Sequence, residues 1–212
     1  MYKRYKSDFP NQVHQLIISV SRHYYVTKQG RYNHQKKPFE IQIDDDAFEA
    51  CEKRHVVNYL VRDHFSGLFY AEVATSDALI RPVEFLHRAW SPKKNHPLHG
   101  LPNAITIPKT VQNRWPRLTA FMEELEIIPL NPTSGFQGGV RDIRTWEDEL
   151  RTQRYESGYP PLFREVSERS PHIMEWTSEW SRWREKHDRW KDHLPEQMLI
   201  PKPLDEFVVD FE

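Results

Sequence analysis

The chain has 212 residues, of which 38% are hydrophobic and 29% are charged, so it is long enough to bury the core of a globular domain. No apolar run approaches the roughly 20 residues of a membrane-spanning helix, and the basic start of the chain lacks the apolar region of a signal peptide. We therefore expect a cytoplasmic protein with no membrane partner. The single cysteine excludes an intramolecular disulfide and a zinc site with several thiolate ligands.

The net charge of −1 conceals an uneven distribution of charged residues. Residues 1–37 contain eight Lys and Arg side chains against a single acid, Asp8, whereas residues 142–212 contain 17 acids against 11 bases. A basic segment on a nearly neutral protein attracts phosphate groups, although many such segments are only solvated surface. The charge distribution therefore admits a nucleic-acid partner without requiring one.

Four segments near the start of the chain have strand patterns. Residues 12–20 become apolar and β-branched toward their end, and residues 55–62 and 68–74 flank a short turn, which predicts a β-hairpin. Residues 40–43 are a shorter strand candidate. The stretch from 21 to about 37 is polar apart from three tyrosines, and we assign no strand to it.

A helix and a short strand are predicted next. Apolar residues at helical spacing favour a helix over residues 76–90, with Ser76 as its expected N-cap. A loop rich in Pro, His and Lys follows. Residues 103–107 then have the short apolar pattern of a buried strand.

The next elements continue this alternation. A helix with Thr110 as its candidate cap follows the buried strand, and Pro116 predicts that this helix is interrupted or starts late. Residues 127–130 form a further strand, which Pro129 marks as an edge or an end. A Gly-rich loop then leads into a helix over residues 140–155.

The predicted order is β-β-β-α-β-α-β-α. Three strands joined by hairpins, followed by alternating helices and strands, predict an α/β fold with a mixed sheet and helices on both faces. We expect one domain over residues 1–155, with an insertion at about 21–54. Residues 156–212 then form a helical C-terminal extension.

The extension carries an aromatic stripe on one predicted helix. Its members recur at spacings of three and four residues: Ile173, Trp176, Trp180, Trp183, His187 and Trp190. Such a stripe packs on its own domain, pairs with another protein, or stacks on nucleic-acid bases. Because Glu175, Glu179 and Glu185 lie on the opposite face, we favour a homo-oligomer or a protein partner held through residues 173–190.

Four segments resemble the catalytic core of retroviral integrases and the related DDE transposases, a family with an RNase H-like fold. Residues 9–15 (FPNQVHQ) are similar to the segment that enters the family's first strand, and residues 63–67 (DHFSG) are similar to its hairpin. Residues 103–130 resemble the family's fourth strand, helix and fifth strand, and residues 131–135 (NPTSG) resemble the loop before its last catalytic helix. The resemblance spans residues 9–155 and implies an RNase H-like mixed sheet.

The resemblance also implies a set of carboxylates. Phosphoryl transfer in this family uses two metal ions about 3.5–4 Å apart, and hard cations such as Mg²⁺ require carboxylate oxygens. The family supplies an Asp from the first strand, an Asp at the end of the adjacent fourth strand, and a Glu from the following helix. Here these positions fall at Ile17 or Ile18, at Pro108, and near Arg141.

None of these three positions supplies a carboxylate. Ile17 and Pro108 have no side-chain oxygen, and Arg141 adds a positive charge. No acid lies between Glu84 and Glu123, so the second position has no nearby substitute. We therefore expect no catalytic residue, no metal site and no cofactor, and we interpret the chain as a catalytically inactive relative of the family.

Cations surround the expected position of the former site: Lys109, Arg114, Arg117, Arg141 and Arg144. The phosphates of DNA lie there in active relatives, and cationic side chains hold a DNA backbone without cutting it. The structural alternative is that Arg141 and Arg144 pair with Glu147 or Asp148 at helical spacing. DNA is the predicted partner, and a DNA-associated accessory or regulatory factor of a mobile element is the leading hypothesis.

Two alternatives stay open at this point. The first is an active, Mg²⁺-dependent transposase or nuclease that uses displaced acids: Asp44, Asp45 and Asp46 with Asp142 or Glu147. The second is a protein-interaction module that has kept the fold and lost contact with DNA.

Overall fold

A six-stranded mixed sheet lies at the centre of the computed structural model, which describes residues 5–41, 43, 48, 53–94, 96–131, 139–156, 160–172 and 181–208. The strands are β1 (Val13–Val26), β2 (Tyr32–His34), β3 (Arg54–Asp63), β4 (Phe69–Thr75), β5 (Ala104–Thr106) and β6 (Ile128–Leu130). The predicted strands at 12–20, 55–62, 68–74, 103–107 and 127–130 are thus confirmed. The candidate at 40–43 is wrong for residues 40, 41 and 43, which lie outside any strand.

The strand order is β4-β3-β1-β5-β6, with β2 paired to the far end of β1. β3 is antiparallel to both β1 and β4, whereas β5 runs parallel to β1 and to β6. The first strand is therefore the neighbour of the strand at 104–106, as the family resemblance implies. β6 is at the edge of the sheet, where the missing N–H of Pro129 is tolerated.

The β1–β2 hairpin corrects the assignment of residues 21–37 to a stretch without strands. β1 continues through Val26 after a register shift between Val20 and Tyr25, and β2 pairs antiparallel with its end. The rings of Tyr24 and Tyr32 are buried and stack with their centroids 4.9 Å apart. This aromatic contact between neighbouring strands stabilises the hairpin despite its polar composition.

The helices are α1 (Pro82–Trp90), α2 (Lys109–Arg114), α3 (Arg117–Glu124), α4 (Gly139–Glu156), α5 (Phe163–Arg169), α6 (Ser181–Lys191) and α7 (Leu204–Val208), with a 3₁₀ turn at Ser170–His172. The predicted helix over 140–155 corresponds to α4 and is confirmed. None of the helices in the described ranges is long and apolar enough to cross a membrane.

Two predicted caps are wrong. α1 begins at Pro82 because proline fixes a helical φ at the first position, while the Ser76 hydroxyl accepts a bond from the His55 N–H at 3.1 Å instead. α2 begins before Thr110, and Pro108 occupies the N-cap position. The predicted break at Pro116 is confirmed, since α2 and α3 are separate helices on either side of it.

Helices cover both faces of the sheet, which confirms the predicted α/β architecture. On one face Trp90 of α1 donates a hydrogen bond to His14 of β1, and the ring of Phe207 in α7 lies against Trp90 and Phe121 of α3. On the other face α4 lies over β1 and β3. The Ser167 hydroxyl of α5 donates to the Val73 carbonyl of the edge strand β4. We call these the α1 face and the α4 face.

The residues after 160 contribute to the same hydrophobic core. Val166, Trp190 and Phe207 are buried, and Trp190 lies against His99 with only 1% of its surface exposed. Trp190, the last member of the predicted stripe, therefore packs within the chain and is not available to a partner. Residues 173–180 of the stripe lie outside the described residues.

Candidate functional site

Two of the three segments that carry the expected family positions meet at Ile17 of β1. Ile17 reaches the start of α4, because a Cβ on Gly139 would lie 2.5 Å from the Ile17 Cδ1. The third segment is on the neighbouring strand: Val13 and Gln15 of β1 are in parallel register with Ala104 and Thr106 of β5, and Pro108 follows two residues after the end of β5.

This junction is aliphatic. Ile17 is half-buried, its cross-strand neighbour Leu60 is buried, and Gly139 leaves room for the Ile17 side chain under the first turn of α4. Hard divalent cations need several oxygen ligands, and neither Ile17 nor Gly139 provides a side-chain oxygen. These residues do not fit the metal pair that the family resemblance implies.

A polar network that the sequence did not reveal lies beside this junction. Asp142, in the first turn of α4, is buried, and its two carboxylate oxygens have different cationic partners. The Arg62 Nε is 2.5 Å from Oδ2, and the Lys186 Nζ of α6 is 3.3 Å from Oδ1. Arg62 also donates from Nη1 to the Gln15 Oε1 at 2.7 Å, which ties the network to β1.

A second set of contacts fixes α4 on the sheet. The buried indole of Trp146 donates from Nε1 to the Asn58 Oδ1 at 3.2 Å, and the Asn58 Nδ2 donates to the Glu147 Oε1 at 3.0 Å. The Asn58 amide thus bonds two successive α4 residues, one as an acceptor and one as a donor. Glu147 is consequently held in a structural contact between α4 and β3.

A pocket of about 410 Å³ opens between α4 and α6. Its walls are Ser66, Arg141, Asp142, Thr145, Glu185, Lys186 and Arg189. The Arg189 guanidinium lies 4.4 Å from the centroid of the Phe65 ring, and the Lys186 Nζ lies 5.3 Å from the centroid of the Phe69 ring. These cation–π contacts place α6 beside the hairpin between β3 and β4.

The electrostatic environment of this region is positive. Burial, together with the charges of Arg62 and Arg189, which oppose a third positive charge nearby, lowers the pKa of His64 to about 4. His64 Nδ1 lies 2.8 Å from the Ser7 hydroxyl. Near neutral pH the imidazole is therefore uncharged, and the positive field comes from the arginines.

The five cations that were predicted to contact DNA lie in different parts of the structure. Arg141 and Arg144 are exposed on α4, and Lys109 is exposed directly after the end of β5. Arg114 is half-buried beside the Trp115 ring and close enough to the buried Tyr59 hydroxyl to influence its pKa. Tyr59 packs against Phe85 of α1, so Arg114 belongs to the α1 face.

Arg117 begins α3, whose Phe121 contacts Phe207 on the same α1 face. Arg114 and Arg117 therefore do not share a surface with Arg141 and Arg144, because the sheet lies between the two pairs. The DNA-contacting role of all five residues, Lys109, Arg114, Arg117, Arg141 and Arg144, stays a prediction.

The displaced acids are only partly within the described residues. Asp142 and Glu147 occupy the contacts given above, whereas Asp44, Asp45 and Asp46 lie outside the described ranges. Among the residues that are described, no group of three or more His, Cys, Asp or Glu side chains is placed to hold a metal ion. A metal site that includes residues 44–46 stays an untested alternative.

Comparison with known proteins finds matches only among solved structures. No protein-family model matches the chain, and no curated protein matches it. The solved structures that match the chain include an integrase core. The catalytic core domain of HTLV-2 integrase, solved with magnesium in a dimeric and in a trimeric form, is 14% identical, with a TM-score of 0.49 in both cases. Each match covers 86% of this chain and 100% of the integrase core chain.

Proposed function

We propose that this protein is a catalytically inactive, integrase-like protein that associates with DNA, as an accessory or regulatory factor of a mobile element. The observation that carries the proposal is the contact of Ile17 with Gly139. In the family resemblance, the first-strand carboxylate and the last catalytic helix meet at this point. Here an aliphatic side chain fills it.

The neighbouring acid does not compensate for the missing carboxylate. Both oxygens of Asp142 already lie against cations, one against Arg62 and the other against Lys186. A divalent metal ion would have to displace both cations and would leave them half-buried without their counter-charge, which is costly. The Asp142 carboxylate is therefore suited to a structural role in joining α4, α6 and β3.

The cations on and beside α4 support a role in binding DNA. Lys109, Arg141 and Arg144 are exposed, and they lie around the end of β5 and the α4 face. Each cation that neutralises a DNA phosphate releases condensed counterions, so such a surface binds DNA without needing to recognise its sequence. Binding of this kind weakens steeply as the salt concentration rises.

The test is a titration of a fluorescent DNA duplex with the full chain, monitored by anisotropy at several salt concentrations. Each titration is performed without divalent metal, with Mg²⁺ and with Mn²⁺, and the DNA is afterwards examined for nicking and strand transfer. We expect salt-dependent binding and intact DNA in all three conditions. Metal-dependent cleavage would establish an active enzyme instead and would direct attention to Asp44, Asp45 and Asp46.

A pair of matched variants tests which surface of the protein contacts DNA. Arg144→Gln removes an exposed charge from α4, whereas Lys202→Gln removes an exposed charge next to α1, where the Lys202 carbonyl contacts His87. We expect Arg144→Gln to reduce the slope of log K against log salt by about 1, and Lys202→Gln to leave it unchanged. No binding of the wild-type chain even at low salt would favour the protein-interaction module.

A further inference from the structure

The pocket between α4 and α6 has the features of an anion site. Four cationic side chains lie in or directly behind its walls, against two carboxylates. The cations are Arg62, Arg141, Lys186 and Arg189, and the carboxylates are Asp142 and Glu185. Arg62 lies behind the pocket wall and neutralises the Asp142 carboxylate. The net charge of the side chains that face the pocket opening is therefore positive.

Two cations of this pocket, Lys186 and Arg189, are held in place before any ligand arrives. Lys186 is fixed between the Asp142 carboxylate and the Phe69 ring, and Arg189 is fixed over the Phe65 ring. Side chains that are already ordered lose little conformational entropy when they bind a ligand. A preorganised cationic pocket of about 410 Å³ is large enough for a tetrahedral anion with its bridging waters.

The charges near the pocket also act on His64. Ser66 of the pocket wall and His64 follow β3, and burial, together with the charges of Arg62 and Arg189, lowers the pKa of His64. The side chain of Ser66 is committed to Asp63, to which its hydroxyl donates at 2.6 Å. The pocket therefore presents positive charge and few free acceptors, a combination that suits an anion and disfavours a metal ion.

We infer that the pocket between α4 and α6 binds one phosphate group, supplied by the backbone of the DNA, with Arg141, Lys186 and Arg189 as its cationic contacts. This inference rests on the proposed function, since the phosphodiester is its source. Arginine suits the role because its planar guanidinium binds two phosphate oxygens at once. The site joins α6 of the C-terminal extension to the surface of α4.

The decisive variant is Arg189→Gln, with Arg189→Lys as the conservative partner and Lys202→Gln as the control. Arg189 is exposed, and its loss removes a charge and one ring contact without opening the core. In DNA titrations at 0.1 M salt we expect Arg189→Gln to bind on the order of tenfold more weakly and to lower the salt slope by about 1. Arg189→Lys should regain the slope, because it keeps the charge, but only part of the affinity.

A second measurement evaluates the pocket even if DNA does not bind. The thermal midpoint of the full chain is followed as inorganic phosphate is added at constant ionic strength, with chloride as the reference. We expect phosphate to raise the midpoint of the wild-type chain and of Lys202→Gln, and to have a smaller effect on Arg189→Gln.

The outcomes separate this inference from the proposed function. DNA binding that Arg144→Gln weakens but Arg189→Gln does not would overturn the pocket and retain the proposed function. Absent DNA binding together with stabilisation by phosphate that depends on Arg189 would overturn the proposed function and support the pocket as a site for free phosphate. Absence of both effects would overturn both.

Discussion

The carboxylate of Asp63 is buried at the end of β3, and three donors converge on it. The N–H of Asn11 donates to Oδ1 at 3.0 Å, and the N–H and hydroxyl of Ser66 both donate to Oδ2 at 2.6 Å. Asp63→Ala would leave these donors without an acceptor in a buried site. We expect it to lower the free energy of unfolding by about 2–4 kcal/mol, measured by urea denaturation.

The matched control for this prediction is Asp77→Ala. Asp77 is 52% exposed and forms a single 3.5 Å ion pair with Arg54. Exposed pairs of this kind contribute about 0–1 kcal/mol, so this variant should be close to the wild-type chain. Equal losses for the two variants would mean that the Asp63 hydrogen bonds contribute little to stability.

At the scale of single residues, the sequence predicted which positions lack a carboxylate but not what replaces the missing interactions. Ile17 and Pro108 were assigned to family positions from a strand pattern and a family motif along the chain, and this assignment stays a prediction. The contacts of Arg62 with Asp142, and of Asp142 with Lys186, join residues 80 and 44 positions apart. Such pairs depend on how α4 and α6 pack, which local patterns do not encode. One signal was present: Arg62 and Asp63 are charged residues directly after the apolar stretch of β3, Tyr59 to Val61.

At the scale of elements, the packing of α4 on β1 can be tested through one steric contact. A methyl group on Gly139 would lie 2.5 Å from the Ile17 Cδ1, so Gly139→Ala forces the Ile17 side chain to move. We expect a loss of about 1–2 kcal/mol in the free energy of unfolding. Ile17→Val deletes the clashing atom, so Gly139→Ala should cost markedly less in that background.

The comparison is a double-mutant cycle by urea denaturation, and the expected coupling energy is on the order of 1 kcal/mol. Ile18→Val is the control, because Ile18 is buried on the α1 face and should not relieve the clash. Additive effects of Gly139→Ala and Ile17→Val would show that the two residues do not touch. The proposed meeting of β1 with the start of α4 at Ile17 would then be contradicted.

The boundaries of the elements show which signals in a sequence are reliable. The long strands β3 and β4 and the helix α4 were predicted because their apolar patterns repeat over many residues. The β1–β2 hairpin was missed because its stability comes from the stacked rings of Tyr24 and Tyr32, which belong to different strands. The start of α1 was misplaced because Pro82 was a stronger signal than the candidate cap at Ser76.

At the scale of the whole molecule, buried neutral histidines make stability depend on pH. Burial lowers the pKa of His14 to about 3, with a further contribution from the Lys93 charge. Burial and the same lysine lower the pKa of His96 well below its ordinary value. Both imidazoles are fully engaged while neutral: His14 accepts from Trp90 and contacts Asn11, and His96 bridges Phe69 and Leu98.

The direction of the effect follows from these lowered pKa values. In the unfolded chain each histidine binds a proton near pH 6.5, whereas in the folded chain it stays neutral to much lower pH. Acid therefore favours the unfolded chain, and the stability is fully present above pH 6.5 and falls as the pH decreases below it. Between pH 7 and 5.5 the two residues together should lower the free energy of unfolding by about 2–3 kcal/mol.

The measurement is urea denaturation at pH 7, 6.5, 6 and 5.5 for the wild-type chain, His96→Gln and His193→Gln. Glutamine can donate to the Phe69 carbonyl as His96 does, but it does not titrate. His96→Gln should therefore lose the share of the pH dependence that His96 contributes, about 1 kcal/mol between pH 7 and 5.5, even if its stability at pH 7 is lower. His193→Gln, a change at an exposed side chain, is the control variant. If His96→Gln keeps the wild-type dependence of the unfolding free energy on pH, His96 is protonated in the folded chain. Such protonation requires an opening in the loop between α1 and β5 that admits water to the His96 ring.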